Sequence, residues 1–187
     1  MTEKQPFDLL RTEGMIEVRR YPEHLVAETE VSADFEDAGN RAFRFLFGYI
    51  SGDNTAQQSI DMTSPVVQAK SQRVAMTAPV VQSGSAGNYT VAFVLPASFA
   101  EQSAPLPSRP EVSLRTIPVR FAAALRFAGR WSTTAYEKHL DQLRSAVTDA
   151  GLTAIGEPWF ARFDPPLTPS FLRHNEVLIE VEEPSSL

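Results

Sequence analysis

Two nearly identical stretches of this sequence guide its interpretation: Ile60-Asp61-Met62-Thr63-Ser64-Pro65-Val66-Val67 and Val74-Ala75-Met76-Thr77-Ala78-Pro79-Val80-Val81. Each is a short apolar run that ends in Met-Thr, a small residue, and Pro-Val-Val. Because proline has no N–H to donate and fixes φ, it interrupts the pairing of strands. A proline at the same place in both copies therefore indicates a specific structural requirement. We expect both copies to turn strands at the rim of a sheet.

The composition limits the class of protein. The chain has 187 residues, of which 43% are hydrophobic, so it suits one domain with a real core. A net charge of −6 and a pI of ≈ 5.1 argue against nucleic acid as a partner, since phosphate binding needs a basic surface. The absence of cysteine excludes disulfides, thiolate ligands, iron–sulfur clusters and cysteine nucleophiles.

No segment of the sequence indicates a membrane or an export signal. Residues 1–11 are polar and lack the apolar centre of a signal peptide. A membrane-spanning helix needs about 18 or more consecutive apolar residues, and no such run is present. We therefore expect a cytoplasmic protein without a membrane span.

Hydrophobic patterning predicts the same order of elements in both halves: strand, strand, helix, strand, strand. The predicted helices run from a cap at Ser32 or Asp34 to about Ile50, and from Ser132 or Thr133 to about Ala150. The predicted strands outside the doubled motif are 16–21, 25–31, 89–95, 112–117, 119–127, 159–163 and 177–181. We interpret the chain as one α+β domain over 1–187, with pseudo-repeats at about 14–103 and 111–183 and helices covering one side of a mainly antiparallel sheet.

The first helix has two apolar sides. One stripe is the expected core face and comprises Phe35, Ala38, Ala42, Leu46, Tyr49 and Ile50. Phe43 and Phe47 form a second ridge beside Asn40 and Arg44. Such a ridge could bind a flat apolar ligand with acidic arms. The alternative is packing under a loop or against another subunit.

Metal-binding and catalytic motifs are weak in this sequence. His24, His139 and His174 lack a second ligand at zinc spacing, and there is no nucleophile elbow. The proline-rich loop after Phe163 carries Phe171 and His174, and rigid loops often hold binding groups.

At this point the sequence resembles the SOUL/haem-binding protein family, over nearly the whole chain and in the family's order of motifs. The doubled Met-Thr motif and Trp131 after Gly129 resemble the bacterial branch most. The remaining matching segments are Ile16-Glu17-Val18-Arg19-Arg20-Tyr21, Tyr49-Ile50-Ser51-Gly52, Leu106-Pro107, Phe127-Ala128-Gly129, Phe163-Asp164-Pro165-Pro166 and Arg173-His174-Asn175-Glu176-Val177.

The resemblance implies a distorted β-barrel or a curved sheet with two flanking helices, built from two β-β-α-β-β repeats. It also implies non-covalent binding of haem or another porphyrin in a shallow groove beside the first helix and near the late proline-rich loop. Aromatic side chains would cover the macrocycle and arginines would meet its propionates. The residues implicated are Phe43, Phe47, Arg44, Arg41, Phe171 and His174.

Four positions depart from the family's pattern. Arg20 stands where some members carry a histidine proposed as an iron ligand, and His174 stands where arginine is common. Phe43 and Phe47 replace methionines of animal members. The axial ligand is therefore left open, with Met62 and Met76 as outside candidates because thioethers can ligate haem iron.

Three functions follow from these patterns. The first is binding, buffering or transport of a tetrapyrrole without catalysis. The second is a small-molecule-binding module or hydrolase of the related two-repeat fold, with Glu17 or Glu176 as a base, although no activated pair is evident. The third is a protein-interaction domain, with the phenylalanine ridge docking a partner or a second copy of the chain.

Overall fold

The computed structural model describes residues 3–56, 60, 63–64, 66–70, 87–100, 102–164 and 167–184. The two α-helices are α1 (Phe35–Ile50) and α2 (Thr133–Asp149), and a short 3-10 helix spans Ser170–Leu172. The strands are β1 (Glu3–Lys4), β2 (Asp8–Glu13), β3 (Ile16–Tyr21), β4 (His24–Ser32), β5 (Thr63–Ser64), β6 (Val66–Lys70), β7 (Asn88–Val94), β8 (Ser113–Ile117), β9 (Arg120–Phe127), β10 (Trp159–Arg162) and β11 (Asn175–Val181).

Nine of the described strands form one curved antiparallel sheet in the order β2-β3-β9-β11-β10-β6-β7-β4-β8. β1 and β5 form a separate parallel pair. Closing a barrel requires the first and last strands of the order to pair. Among the described strands, β2 and β8 stand at opposite ends of the order and do not pair with each other. The expected α+β fold with a curved sheet is confirmed, and the barrel alternative is not formed by these strands.

The strand order is symmetric about the β10–β6 pair. If β2 is set aside, exchanging β10 with β6, β11 with β7, β9 with β4 and β3 with β8 gives the same order read from the other end. Each set of four strands also has one helix at the same point in the chain. This symmetry agrees with a duplicated unit, and the repeat boundaries at about 14–103 and 111–183 stay a prediction.

Both helices begin and end near the predicted residues. Ser132 caps α2 by accepting a hydrogen bond from the Ala135 N–H, and Gly151 follows the helix with a φ of 67°. Asp34 precedes α1 without a side-chain capping bond. The buried residues of α1 are the six of the predicted stripe, Phe35, Ala38, Ala42, Leu46, Tyr49 and Ile50. Among the described helices, none is both long and apolar enough to cross a membrane.

Both helices pack on the same face of the sheet. α1 covers β4 and β7, and α2 covers β9, β11 and β3. Phe35 of α1 packs into the part of the core that α2 covers, since its ring stacks on Trp131 and Tyr136 with centroid distances of 5.0 and 5.1 Å. The opposite face of the sheet carries no helix among the described residues, and we call it the helix-free face.

The structure describes only part of the doubled motif. Thr63 and Ser64 of the first copy form β5 and Val66 begins β6, an interior strand between β10 and β7, so the turning of strands by the motif stays a prediction. Met62 and the second copy of the motif lie outside the described residues. Strand β2 was not predicted, because Asp8–Glu13 is polar and mostly exposed at the sheet edge, where no buried face imposes alternation.

Candidate functional site

The exposed side of α1 carries two stacked aromatic rings, which we call the α1 ridge. Phe43 and Phe47 stack with centroids 5.4 Å apart and an interplanar angle of 15°. Their exposed fractions are 41% and 49%. Phe43 also meets Phe93 of β7 edge-on, which anchors the ridge to the sheet. The ridge is therefore an ordered apolar surface open to solvent.

Three arginines lie along α1. Arg44 is exposed and forms no ion pair within the described residues, while Arg41 donates to the carbonyl of Ser32 at 3.2 Å. Arg162 approaches α1 so closely that a Cβ on Gly39, one turn before Phe43, would lie 2.9 Å from its Nη1. Burial, and then the positive charge of Arg173, lower the pKa of Arg162. Two of these arginines are thus carried by α1 itself, and Arg162 of β10 reaches the helix at Gly39.

The two predicted residues of the late loop have different surroundings. Phe171 is 73% exposed in the 3-10 helix. The His174 ring stacks on Phe163 at 4.0 Å and its Nε2 donates to Glu176 at 2.7 Å, so it faces the helix-free side of the sheet. The α1 ridge lies on the opposite face. The structure therefore brings Phe43, Phe47 and Arg44 together and does not bring His174 to them.

A long groove crosses the helix-free face between the two halves of the sheet. It encloses about 620 Å³, within the roughly 300–1,000 Å³ that is usual for ligand sites. Its apolar floor comprises Val26, Val67, Ala92, Val94 and Ile117. Its charged lining comprises Glu28, Glu30, Glu157, Glu180, Arg115 and Arg120, and His24 and Trp159 complete the walls.

A buried ion pair lies in a smaller cavity that adjoins this groove. Arg19 donates from Nη1 and Nη2 to the two carboxylate oxygens of Glu176 at 2.7 and 2.9 Å. Their side chains are 5% and 2% exposed. Arg19 also donates to the Tyr21 hydroxyl and to Glu17, and the Phe7 ring lies 4.2 Å from its Cζ. Each charge is thus compensated within the protein.

This network keeps Glu176 ionised. Burial by itself would raise the pKa of the Glu176 carboxyl, but hydrogen bonds from His174 and Arg19 outweigh burial and hold that pKa below its ordinary value. Burial raises the pKa of Tyr21, an effect that Arg19 partly offsets. A carboxylate with a lowered pKa and both oxygens occupied is poorly suited to act as a general base.

Arg120 differs from Arg19 because its charge is not paired. Its Cζ lies 4.1 Å from the centroid of the Trp159 ring. Its Nε is buried and has no hydrogen-bond partner within the described residues. Burial lowers the pKa of Arg120, against the attraction of Glu180 and Tyr21. It lines both the groove and the smaller cavity.

The three histidines are all engaged within the protein. His24 donates from Nδ1 to the Pro22 carbonyl and its Nε2 lies 3.0 Å from Gln5. His139 bonds the Ala135 carbonyl and stacks on Phe127 at 4.0 Å. No group of three or more potential metal ligands occurs among the described residues. The α1 ridge thus fits the apolar faces and propionates of a haem, whereas no described histidine is placed to ligate its iron.

Sequence patterning missed Arg19, Arg120 and Trp159. Strand β3 alternates, which predicts that Arg19 faces solvent, but Phe7 and neighbouring strands cover that position. The signal that could have found it is Glu176, a carboxylate directly before the apolar run Val177-Leu178-Ile179, since a buried charge needs a partner of opposite sign. Arg120 and Trp159 have no local signal because they meet only across the sheet.

Comparisons with known proteins agree with this fold. The sequence profile of the SOUL heme-binding protein family matches residues 2–180. No curated protein sequence matches the chain significantly. The solved C-terminal domain of EcmrR is similar in structure, with a TM-score of 0.65 and 12% identity over 90% of this chain and 97% of that domain. A hydrolase from Listeria innocua gives a TM-score of 0.64 and 9% identity over 92% of this chain and 94% of its own. At these identities the likeness concerns the fold.

Proposed function

Because the chain belongs to the SOUL heme-binding protein family, we propose that it binds haem or a related tetrapyrrole on the α1 ridge and that binding, not catalysis, is its role. The observation that carries this proposal is the pair of stacked, half-exposed rings of Phe43 and Phe47. A macrocycle laid on the ridge would cover apolar surface that now faces water.

The charges around the ridge support an acidic, flat ligand. Arg44 has no ion-pair partner in the described part of the chain, and Arg41 is held only by a backbone carbonyl. Guanidinium groups bind carboxylates in a bidentate geometry, so these two arginines are suited to propionates. When bound, haem would supply its iron chemistry, while the chain would supply apolar contacts and charge.

A titration of the purified protein with haemin tests this proposal. We expect a saturable change in the Soret band, and at least about tenfold weaker binding for Phe47→Asp, since a carboxylate would repel propionates and remove ring contact. Met15→Asp is the matched control, because Met15 is 62% exposed in the turn between β2 and β3, away from α1. It should bind haemin like the unaltered protein.

Two results would contradict the proposal. One is the absence of a saturable Soret change. The other is equal loss of binding in Phe47→Asp and Met15→Asp, which indicates nonspecific uptake. If Phe43→Ser instead converts a dimer to a monomer in light scattering and haemin binding is absent, the ridge is an interface between copies of the chain.

A second candidate function uses the groove on the helix-free face. Its volume of about 620 Å³ and its apolar floor support binding of a small amphipathic molecule. The paired state of Glu176 favours binding over hydrolysis. A neutral probe, 2-naphthylmethanol, tests this function by NMR of the Trp159 indole N–H. We expect a saturable shift, and no shift would contradict it.

A further inference from the structure

We propose that the groove on the helix-free face takes an amphipathic ligand with a single carboxylate, and that Arg120 holds that carboxylate. This inference rests on the second candidate function above and adds the charge of the ligand and the residue that recognises it. It concerns a site separate from the α1 ridge.

The three guanidinium groups that line the groove and its adjoining cavity differ in their partners. Arg19 is bound by both oxygens of Glu176, and Arg115 donates to both oxygens of Glu28 at 2.7 to 2.9 Å. Arg120 makes no hydrogen bond or ion pair with any described residue. Glu180 attracts it electrostatically without an ion pair. Of these three guanidinium groups, Arg120 is therefore the one left without a hydrogen-bond partner in the described part of the chain.

The position of Arg120 is fixed in advance of binding. Its guanidinium lies over the Trp159 ring, and its Nε is enclosed. A charged group taken from water costs free energy unless it is compensated, and hydrogen bonds from a guanidinium to a carboxylate are strong and directional. Because the side chain is already ordered, a ligand carboxylate would bind without the entropic cost of arranging it.

The remaining lining defines the rest of the ligand. The floor of Val26, Ala92, Val94 and Ile117 would contact an apolar body. Three further carboxylates, Glu30, Glu157 and Glu180, also line the groove. They would repel a ligand with several negative charges, so phosphates and nucleotides fit poorly. A monocarboxylate with an apolar body satisfies both the floor and Arg120.

Three probes that share a naphthalene ring system and differ in charge separate the apolar contribution to binding from the contribution of the carboxylate. They are 2-naphthoate, 2-naphthylmethanol and 2-naphthylmethylammonium. Binding is followed by NMR of the Trp159 indole N–H and by calorimetry. We expect 2-naphthoate to bind at least about tenfold more tightly than the alcohol, the effect of a charge-assisted hydrogen bond. Arg120→Gln should abolish this preference and leave binding of the alcohol unchanged.

Matched variants control for folding and for general charge. Arg126→Gln removes an exposed guanidinium from the same strand and the same face, about 20 Å along β9 at roughly 3.3 Å per residue, and should keep the preference for 2-naphthoate. If Arg120→Gln fails to fold, Arg120→Lys serves instead. It keeps the charge but lacks the planar pair of donors, and it should reduce the preference.

The outcomes distinguish this inference from the function on which it rests. Equal binding of 2-naphthoate and the alcohol, or tighter binding of the ammonium probe, would overturn the role of Arg120 and leave the groove as a binding site. An unchanged preference in Arg120→Gln would do the same. Binding of none of the three probes at millimolar concentration would overturn both.

Discussion

The two faces of the sheet depart from the usual distribution of residues in opposite ways. The helix-covered face packs two helices on the sheet but leaves Phe43 and Phe47 half in solvent on the outer side of α1. The helix-free face has no covering helix among the described residues, yet it buries the charges of Arg19 and Glu176. Exposed aromatic pairs and buried charges are both uncommon in soluble domains.

The comparison separates groups whose partners lie within the protein from groups that lack such partners, and the second kind occurs on both sides of the sheet. The Arg19–Glu176 pair has all its partners inside the protein, so it is part of the structure. The α1 ridge and Arg120 lack such partners among the described residues, so they have capacity left for a ligand. Substitutions on the first kind of feature should alter folding, and those on the second should alter binding.

The largest effect is expected from breaking the buried ion pair. Glu176→Ala leaves the Arg19 guanidinium buried with Glu17 as its remaining anionic partner, beside the hydrogen bond to the Tyr21 hydroxyl. Removing one member of a buried pair costs about 3–5 kcal/mol, and we expect the lower end because Glu17 remains. Urea unfolding of both proteins measures the difference in the free energy of unfolding.

The double variant Arg19→Met/Glu176→Leu is the control for this prediction. Replacing both charges by apolar side chains leaves neither one unpaired, so most of the lost stability should return. A loss of less than about 1 kcal/mol in Glu176→Ala would show that the pair is not compensating a buried charge.

A second and smaller loss in the free energy of unfolding is expected when the pH is lowered. The pKa of Glu176 is lowered in the folded protein, so the unfolded chain takes up a proton first as the pH falls. The stabilisation is complete above the ordinary glutamate pKa of about 4.3 and is lost as the pH falls from there through the folded pKa. This group contributes at most one proton, about 1.4 kcal/mol per pH unit.

Urea unfolding between about pH 3 and 7 measures this dependence. The Glu176→Gln variant should be less stable at neutral pH and should show a shallower decline in acid. Parallel curves for the two proteins would mean that another carboxylate causes the decline.

How much the sequence predicts also differs between the two faces. The stripe of α1 from Phe35 to Ile50, the Ser132 cap and the α+β class all follow from local periodicity, and the structure confirms them. The family resemblance is confirmed by the match over residues 2–180. The ridge of Phe43 and Phe47 was found because two extra apolar residues on a helix are visible in the sequence itself.

The contents of the helix-free face could not be predicted in the same way. Arg19 and Glu176 are separated by 157 positions, and their contact depends on how β3, β9 and β11 pair. Alternation in a strand identifies its two faces but not whether the polar one is covered. The interior position of β6 was not predicted for the same reason, since strand order is a property of the whole sheet.

The smallest effect on folding is expected at the α1 ridge, and neighbouring residues provide the comparison. Leu46 is fully buried and Phe47 is 49% exposed, although they are adjacent in the same helix. Leu46→Ala should cost about 2–5 kcal/mol, because it leaves a cavity in the core. Phe47→Ser should change the free energy of unfolding by only about 0.5 kcal/mol, the usual range for a surface position. Urea unfolding measures both, and a loss above about 2 kcal/mol in Phe47→Ser would mean that the ridge packs within the fold and is not held open for a ligand.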